Sequence, residues 1–184
     1  MQTQVYSSKF VQVYEKDGWT YASRRKGNPQ VGPVEPDAVT MCGVVQTGTG
    51  RKVVVLREYR IPLQGFEIGF PAGLIDAGET PAQAAAREFR EETGLEFYPS
   101  FWSPKKIASS AGITDELCPV VFGIAKGEVS LTPGDGHEPI EVLLLSRKEL
   151  SDILAQDYYF GGRSWSVLYS LASTGSYAGQ LHID

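Results

Sequence analysis

The chain reads as an α/β protein in which a mixed sheet lies between helical layers. Three observations predict this. Short β-rich runs recur at residues 37–45, 52–58, 66–70, 95–102, 117–126 and 140–145. Two capping-box signatures, Thr80-Pro81-Ala82-Gln83 and Ser146-Arg147-Lys148-Glu149, open helices among them. A third helical face, made of Trp165, Leu168, Tyr169 and Ala172, follows the last run. Strands with a few interspersed helices bury their apolar faces by layering around one core.

The elements follow in order. Residues 10–14 and 19–23 are strand-like and flank Glu15-Lys16-Asp17-Gly18, a hairpin signal. Residues 27–36 hold three prolines and two glycines and read as a linker. Residues 1–36 are thus expected to form a small N-terminal antiparallel β element and linker. They are too few to bury a core alone and need another surface, either the main body or a second subunit. Residues 37–184 are expected to form the main domain. Within it, residues 46–51 join two strands, and residues 66–70 lead through Pro71-Ala72-Gly73 towards the first helix. Thr80 suits the N-cap, Pro81 the first helical position and Gly94 the stop, which predicts a helix over residues 81–93, about three and a half turns. Ala82, Ala85, Ala86 and Phe89 are its expected packing stripe. Residues 140–145 have the composition of a strand buried on both faces. The second capping box opens a helix running to about Gln156.

Composition narrows the function. The chain has 184 residues, 42% hydrophobic and 21% charged, which is ordinary for a soluble protein of one domain or one domain with an appendage. Its net charge is −5 with no basic tract, so a nucleic-acid polymer is not expected as a partner. Met1 to Val5 lacks a basic-then-apolar signal pattern, and no apolar run is long enough to span a bilayer. A cytoplasmic location away from membranes is the expectation. Cys42 and Cys118 sit in apolar surroundings without metal-type spacing and are expected as buried free thiols.

The helix over residues 81–93 carries an electrostatic conflict. Glu88, Glu91 and Glu92 stand three and four residues apart, so like charges crowd one side. They also lie in the last turns, where the helix dipole favours cations. Arg87 compensates in part. A hard divalent cation such as Mg²⁺ or Mn²⁺, which takes oxygen ligands and keeps waters, would resolve the conflict and hold a diphosphate.

These acids belong to a longer pattern. From Gly73 to Leu95 the chain reads Gly, five residues, Glu79, seven residues, then Arg87-Glu88-Phe89-Arg90-Glu91-Glu92-Thr93-Gly94-Leu95. At roughly 7% usage per letter, its seven fixed positions would arise by chance on the order of once in 10⁸ starts. The run resembles the box of the Nudix hydrolases, which use divalent metal to cleave a nucleoside diphosphate linked to another group. Beyond the box, residues 19–25, Arg57-Glu58-Tyr59-Arg60, residues 70–76 and Gly134-Asp135-Gly136 are similar to the ADP-ribose and nucleoside-diphosphate-sugar pyrophosphatase branch. Together the likeness covers most of residues 10–172.

The resemblance implies the Nudix α/β/α sandwich, a homodimer whose N-terminal strands exchange between subunits, and hydrolysis to nucleoside monophosphate and sugar phosphate. It implies a metal set of the Ala72 carbonyl, Glu88 and Glu92, with Glu91 auxiliary. Glu79 and Arg87 match the pair bracing loop and helix. Arg60 and Arg24 match substrate-binding arginines, whose planar guanidinium suits phosphate oxygens. Trp19 matches an aromatic that stacks on the base; by composition alone it also reads as a hairpin core residue. The catalytic base matches Glu138, also a metal ligand, with Glu141 the alternative. The chain departs from the pattern at Ser110-Ala111-Gly112, where Ser-Pro-Gly is common, and at Gly69, where a glutamate is common; Glu67, on the same strand face, is the expected substitute. Cleavage of nucleoside triphosphates or dinucleoside polyphosphates is the rival within this chemistry. A non-catalytic nucleotide sensor is the rival from another class, and has no need of an intact acidic cluster.

Overall fold

The computed structural model describes residues 2–25, 35–130 and 140–184. Glu138, the Gly134-Asp135-Gly136 loop and most of the expected linker lie outside the described residues.

The N-terminal segment forms a three-stranded antiparallel sheet, β1 (Gln2–Ser7), β2 (Gln12–Lys16) and β3 (Trp19–Ser23). The hairpin is where the sequence put it, with Asp17-Gly18 as its two-residue turn. β1 went unread because its only apolar residues, Val5 and Tyr6, are adjacent and so fall on opposite faces among Gln, Thr and Ser, which leaves no alternating apolar signal.

A larger sheet follows. It contains β4 (Ala38–Thr47), β5 (Gly50–Arg60), β6 (Gly65–Gly69), β7 (Ala72–Leu74), β8 (Glu96–Trp102), β9 (Val120–Lys126), β10 (Ile140–Leu145) and β11 (Tyr159–Phe160). Its order is β11-β6-β5-β4-β9-β8, with β10 on β5 and β7 on β4. Parallel pairs (β4 with β9, β6 with β11) mix with antiparallel ones. A short hairpin of β12 (Ser176–Tyr177) and β13 (Leu181–His182) ends the chain.

Three helices cover the sheet: α1 (Pro81–Thr93), α2 (Arg147–Leu154) and α3 (Gly162–Thr174). Successive strand side chains point to opposite faces, and the two cores follow that alternation. Val39, Met41, Val54, Phe97 and Val121 pack with Phe89 of α1. Cys42, Val44, Val53, Val55 and Phe122 pack with Leu150 of α2 and Leu168 and Leu171 of α3. This is the expected α/β/α arrangement. Cys42 and Cys118 are buried free thiols.

One feature of the sheet positions the site. β4 and β5 pair only from Val44–Thr47 against Gly50–Val53. Beyond that they part, β4 turning to β7 over Ala38–Thr40 and β5 to β6 over Leu56–Arg60. A cavity lies in the fork.

Three expectations need correction. The buried stripe of α1 is Ala84, Ala85, Phe89 and Thr93, while Ala82 is exposed; the first turn overhangs the sheet, so the packing row starts later. β10 is only half-buried, with Leu145 alone fully covered, because it is an edge strand on β5. The packing face of α3 is Ser164, Val167, Leu168, Leu171 and Ala172. Trp165 and Tyr169 stack on each other at 5.3 Å on the outer side. Two aromatics one turn apart mimic a core stripe in sequence, and only the sheet decides which side is covered.

Candidate active site

Both ends of α1 are set locally. Thr80 Oγ1 accepts from the Gln83 N–H, and Gln83 Oε1 accepts from the Thr80 N–H at 2.9 Å, so the capping box closes. Gly94 terminates the helix at φ 77°, the left-handed conformation that costs glycine least. The loop before the helix is tied down by charge. Arg87 donates to both Glu79 oxygens at 2.8 and 2.7 Å and to the Leu74 carbonyl at 3.1 Å. Glu79 in turn accepts from the Asp76 N–H at 3.1 Å. The Arg87 guanidinium holds the Glu79 carboxyl down at about 2.

β7 presents its backbone to the helix end. Met41 N–H bonds to Pro71 O and Ile75 N–H to Asp37 O, which makes Val39–Gly73 the bonded pair between them. Ala72 and Leu74 therefore point their N–H and C=O groups away from β4. The Ala72 N–H donates to Glu92 Oε2 at 3.1 Å, and the Ala72 carbonyl shares that outward side. Gly73 faces Glu88 so closely that a Cβ there would lie 1.9 Å from the carboxylate carbon. Only glycine admits Glu88 at this position.

The acids differ in their surroundings. Burial raises the Glu88 carboxyl above its ordinary range, with Arg87 opposing. Burial pushes the Glu92 carboxyl up to about 8, against the Ala72 N–H bond, and Glu88 and Glu58 add to the rise. Glu91 is 59% exposed and reaches back to Arg87 at 3.3 Å, while Glu88 meets Arg87 at 2.9 Å. Among the described residues no three acidic, His or Cys side chains converge on one point. Two desolvated carboxylates, of which Glu88 shares Arg87 with Glu79 and Glu91, beside an outward backbone carbonyl and a glycine that keeps the space clear, nonetheless fit a hard divalent ion. Glu88, Glu92 and the Ala72 oxygen would hold it, with Glu91 within one helical turn.

A cavity of about 130 Å³ opens beside Ala72 in the fork of the sheet. Glu58, Arg60, Glu67, Ser109 and Arg163 are among its lining residues. Arg60 is bound to Glu67 at 2.6 Å and to Glu58 at 2.8 Å. Gly69 lines the same cavity as Glu67. Glu141 pairs with Arg57 at 3.0 Å directly across from it in register. That is the face of β5 opposite Glu58 and Arg60, since neighbours on a strand alternate.

The N-terminal residues gather elsewhere. Trp19 is 63% exposed, which excludes the hairpin-core reading. It lines a second cavity of about 450 Å³ with Tyr21, Ala111, Gly112 and Asp115, so the structure brings it beside the Ser110-Ala111-Gly112 loop. Arg24 bonds to Glu116, and Ser23 donates to Asp115 at 3.0 Å. The sequence reading missed Glu58, Ser109 and Arg163. The Gly161-Gly162-Arg163-Ser164 run, small residues before a cation at a helix start, was the signal available for the last.

Comparison with known proteins bears on the family and the fold. Residues 36–166 match the NUDIX domain. The chain is 33% identical over 121 residues to the ADP-sugar pyrophosphatase of Mus musculus, covering 62% of this chain and 55% of that one. It is 28% identical over 176 residues to the ADP-ribose pyrophosphatase of Bacillus subtilis, covering 90% and 88%. The chain thus spans little more than half the mouse protein's length and most of the bacterial one. A crystal structure of an ADP compounds hydrolase superposes with a TM-score of 0.61 at 21% identity, over 95% of this chain and 94% of that one, which shows a shared fold. The chain belongs to the Nudix family, on the branch that holds the ADP-ribose and ADP-sugar pyrophosphatases.

Proposed function

We propose that the chain hydrolyses the diphosphate bond of a nucleoside diphosphate sugar, ADP-ribose or a close relative, to nucleoside monophosphate and sugar phosphate. The observation that carries this is that Glu92 bonds to the outward backbone of Ala72 and Glu88 closes on Gly73, next to the polar cavity that Ala72 lines. The names of the mouse and Bacillus relatives support the substrate class. Mg²⁺ or Mn²⁺, held by those three groups with Glu91 auxiliary, would neutralise phosphoryl charge and acidify a water.

The chain's own residues do the rest. Glu79 and Arg87 lock the loop that aims the Ala72 carbonyl. The cavity takes the phosphate side of the substrate, and Trp19 offers an open indole to the base. Water adds to one phosphorus, and the bridging oxygen leaves with the other. Glu138 is the proposed general base and a further metal ligand, because Glu141 turns to the opposite face of β5 and is occupied by Arg57. Residues 1–36, the N-terminal β element and linker of the sequence reading, are proposed to exchange their strands between subunits of a homodimer, and Arg24 to act at the substrate site from them. A cytoplasmic setting fits a nucleotide substrate; among the described residues no helix is long and apolar enough to cross a membrane.

The test is product analysis in ¹⁸O-labelled water with ADP-ribose, ADP-glucose, GDP-mannose and UDP-glucose in MgCl₂. Label in one phosphate product of at least one of them is expected. Turnover of none, with release of pyrophosphate from nucleoside triphosphates instead, would overturn the assignment.

A further inference from the structure

Two arginines line the cavity beside Ala72, and they are held in opposite ways. Arg60 is gripped by Glu58 and Glu67, so two carboxylates already match its charge. Arg163 is held by hydroxyls. Its Nε donates to Thr40 Oγ1 at 3.3 Å and its Nη1 to Ser109 Oγ at 2.7 Å. Among the described residues no carboxylate pairs with it directly. The anion behind it is Glu116, one hydroxyl away: Ser109 donates to Glu116 Oε1, and Arg24 occupies Glu116 Oε2.

The position of Arg163 is built into the packing. It sits in the first turn of α3, and its neighbour Ser164 is buried and accepts from the Phe70 N–H at 3.0 Å. The Gly161 N–H bonds to the Ile68 carbonyl at 3.1 Å. These two bonds hold the helix start against β6 and carry the guanidinium to the cavity. Nε and Nη1, which lie on different edges of the guanidinium, are anchored to neutral oxygens, which leaves Nη2 and a charge that no carboxylate contacts directly among the described residues for an incoming anion. A cation balanced by two carboxylates has little left to offer a phosphate; one anchored on hydroxyls keeps its charge in a partly desolvated cavity, where it acts more strongly than in water.

We propose that Arg163 grips the diphosphate of the substrate in this cavity, and that Arg60 is a positioning residue that keeps Glu58 and Glu67 in place. This rests on the nucleoside-diphosphate-sugar reading above. Arg163→Met keeps the stem and removes the charge; Arg163→Lys restores a charge without the planar fork. Inorganic pyrophosphate in MgCl₂, titrated calorimetrically into each full-length chain, is the probe, with KM and kcat for the best substrate of the panel as a second readout. For Arg163→Met, pyrophosphate affinity is expected to fall, and KM to rise, at least about 10-fold, the scale of one lost charge-assisted hydrogen bond, with kcat changing less. Arg163→Lys is expected to recover part of both. Wild-type affinity and KM in Arg163→Met would overturn the assignment and leave the proposed reaction standing. If Arg163→Met does not fold, a folded Arg163→Lys whose losses equal or exceed the 10-fold level would overturn the role of charge, and near wild-type values would support it. A wild-type chain that neither binds pyrophosphate nor turns over the panel would overturn both proposals.

Discussion

The start of α2 and the end of α1 put the same residue type to opposite uses. At the start of α2, Glu149 closes a capping box with Ser146 and meets Lys52, and its carboxyl is held down at about 2, chiefly by the Ser146 N–H. The helix dipole favours a negative charge there. At the end of α1, Glu92 faces the wrong end of the dipole, shielded from water beside Glu88, and its carboxyl rises to about 8. Glu149 lowers the free energy of its own fold. Glu92 is tolerated because Ala72 and the packing of β7 over-determine its place. An acid that the local rules reject is the better pointer to function.

Substitutions can break this comparison, beginning where the effect is greatest. Glu92→Gln keeps the shape and removes the charge; kcat is expected to fall at least about 10²-fold, as for loss of one transition-state stabiliser, with thermal unfolding in EDTA little changed. Wild-type turnover would remove Glu92 from the ligand set. Gly73→Ala should displace the Glu88 carboxylate and raise the Mg²⁺ concentration for half-maximal activity about 10-fold. An unmoved midpoint would mean that Glu88 does not need its present seat.

Thr80→Ala and Ser146→Ala remove equivalent N-caps, and each should cost about 1 kcal/mol in urea unfolding. The two helices differ at their functional ends, so a loss of stability confined to one of them would contradict the comparison. The smallest effect is a pH dependence. Glu149 is depressed below its ordinary value of 4.5, so its contribution is complete above that value and is lost as pH falls towards about 2. Glu149→Gln should lessen the fall of the melting temperature across that window, leaving the part due to Glu79, and leave the slope above pH 5 alone. A slope equal to that of wild type below pH 4.5 would place the acid sensitivity elsewhere.

Much of the fold and of the site was legible in order. The α1 helix was readable to the residue, because Thr80, Pro81, Gln83 and Gly94 act within one turn of themselves. The acids proposed to hold the metal were readable because their spacing on one helix is also local. What failed was orientation. Ala82 and Trp165 have the right spacing for a core and lie outside it, since a helix cannot report which side the sheet will cover. β10 looked like an interior strand, and its place at the edge is a fact about its neighbours.

By itself the sequence determined the family, the box helix with its caps, the hairpin at Asp17-Gly18 and the identity of the acids. Tertiary structure decided that β4 and β5 part at Val53, that the fork becomes a cavity, and that Arg60 is paired with Glu58 and Glu67 while Arg163 arrives from α3 anchored on the hydroxyls of Thr40 and Ser109. The division is physical. Capping and helical spacing act over a few residues and leave a mark in the order of the chain, whereas pairing across 54 to 123 residues, as from Arg163 to Ser109 and Thr40, exists only once the chain has closed on itself.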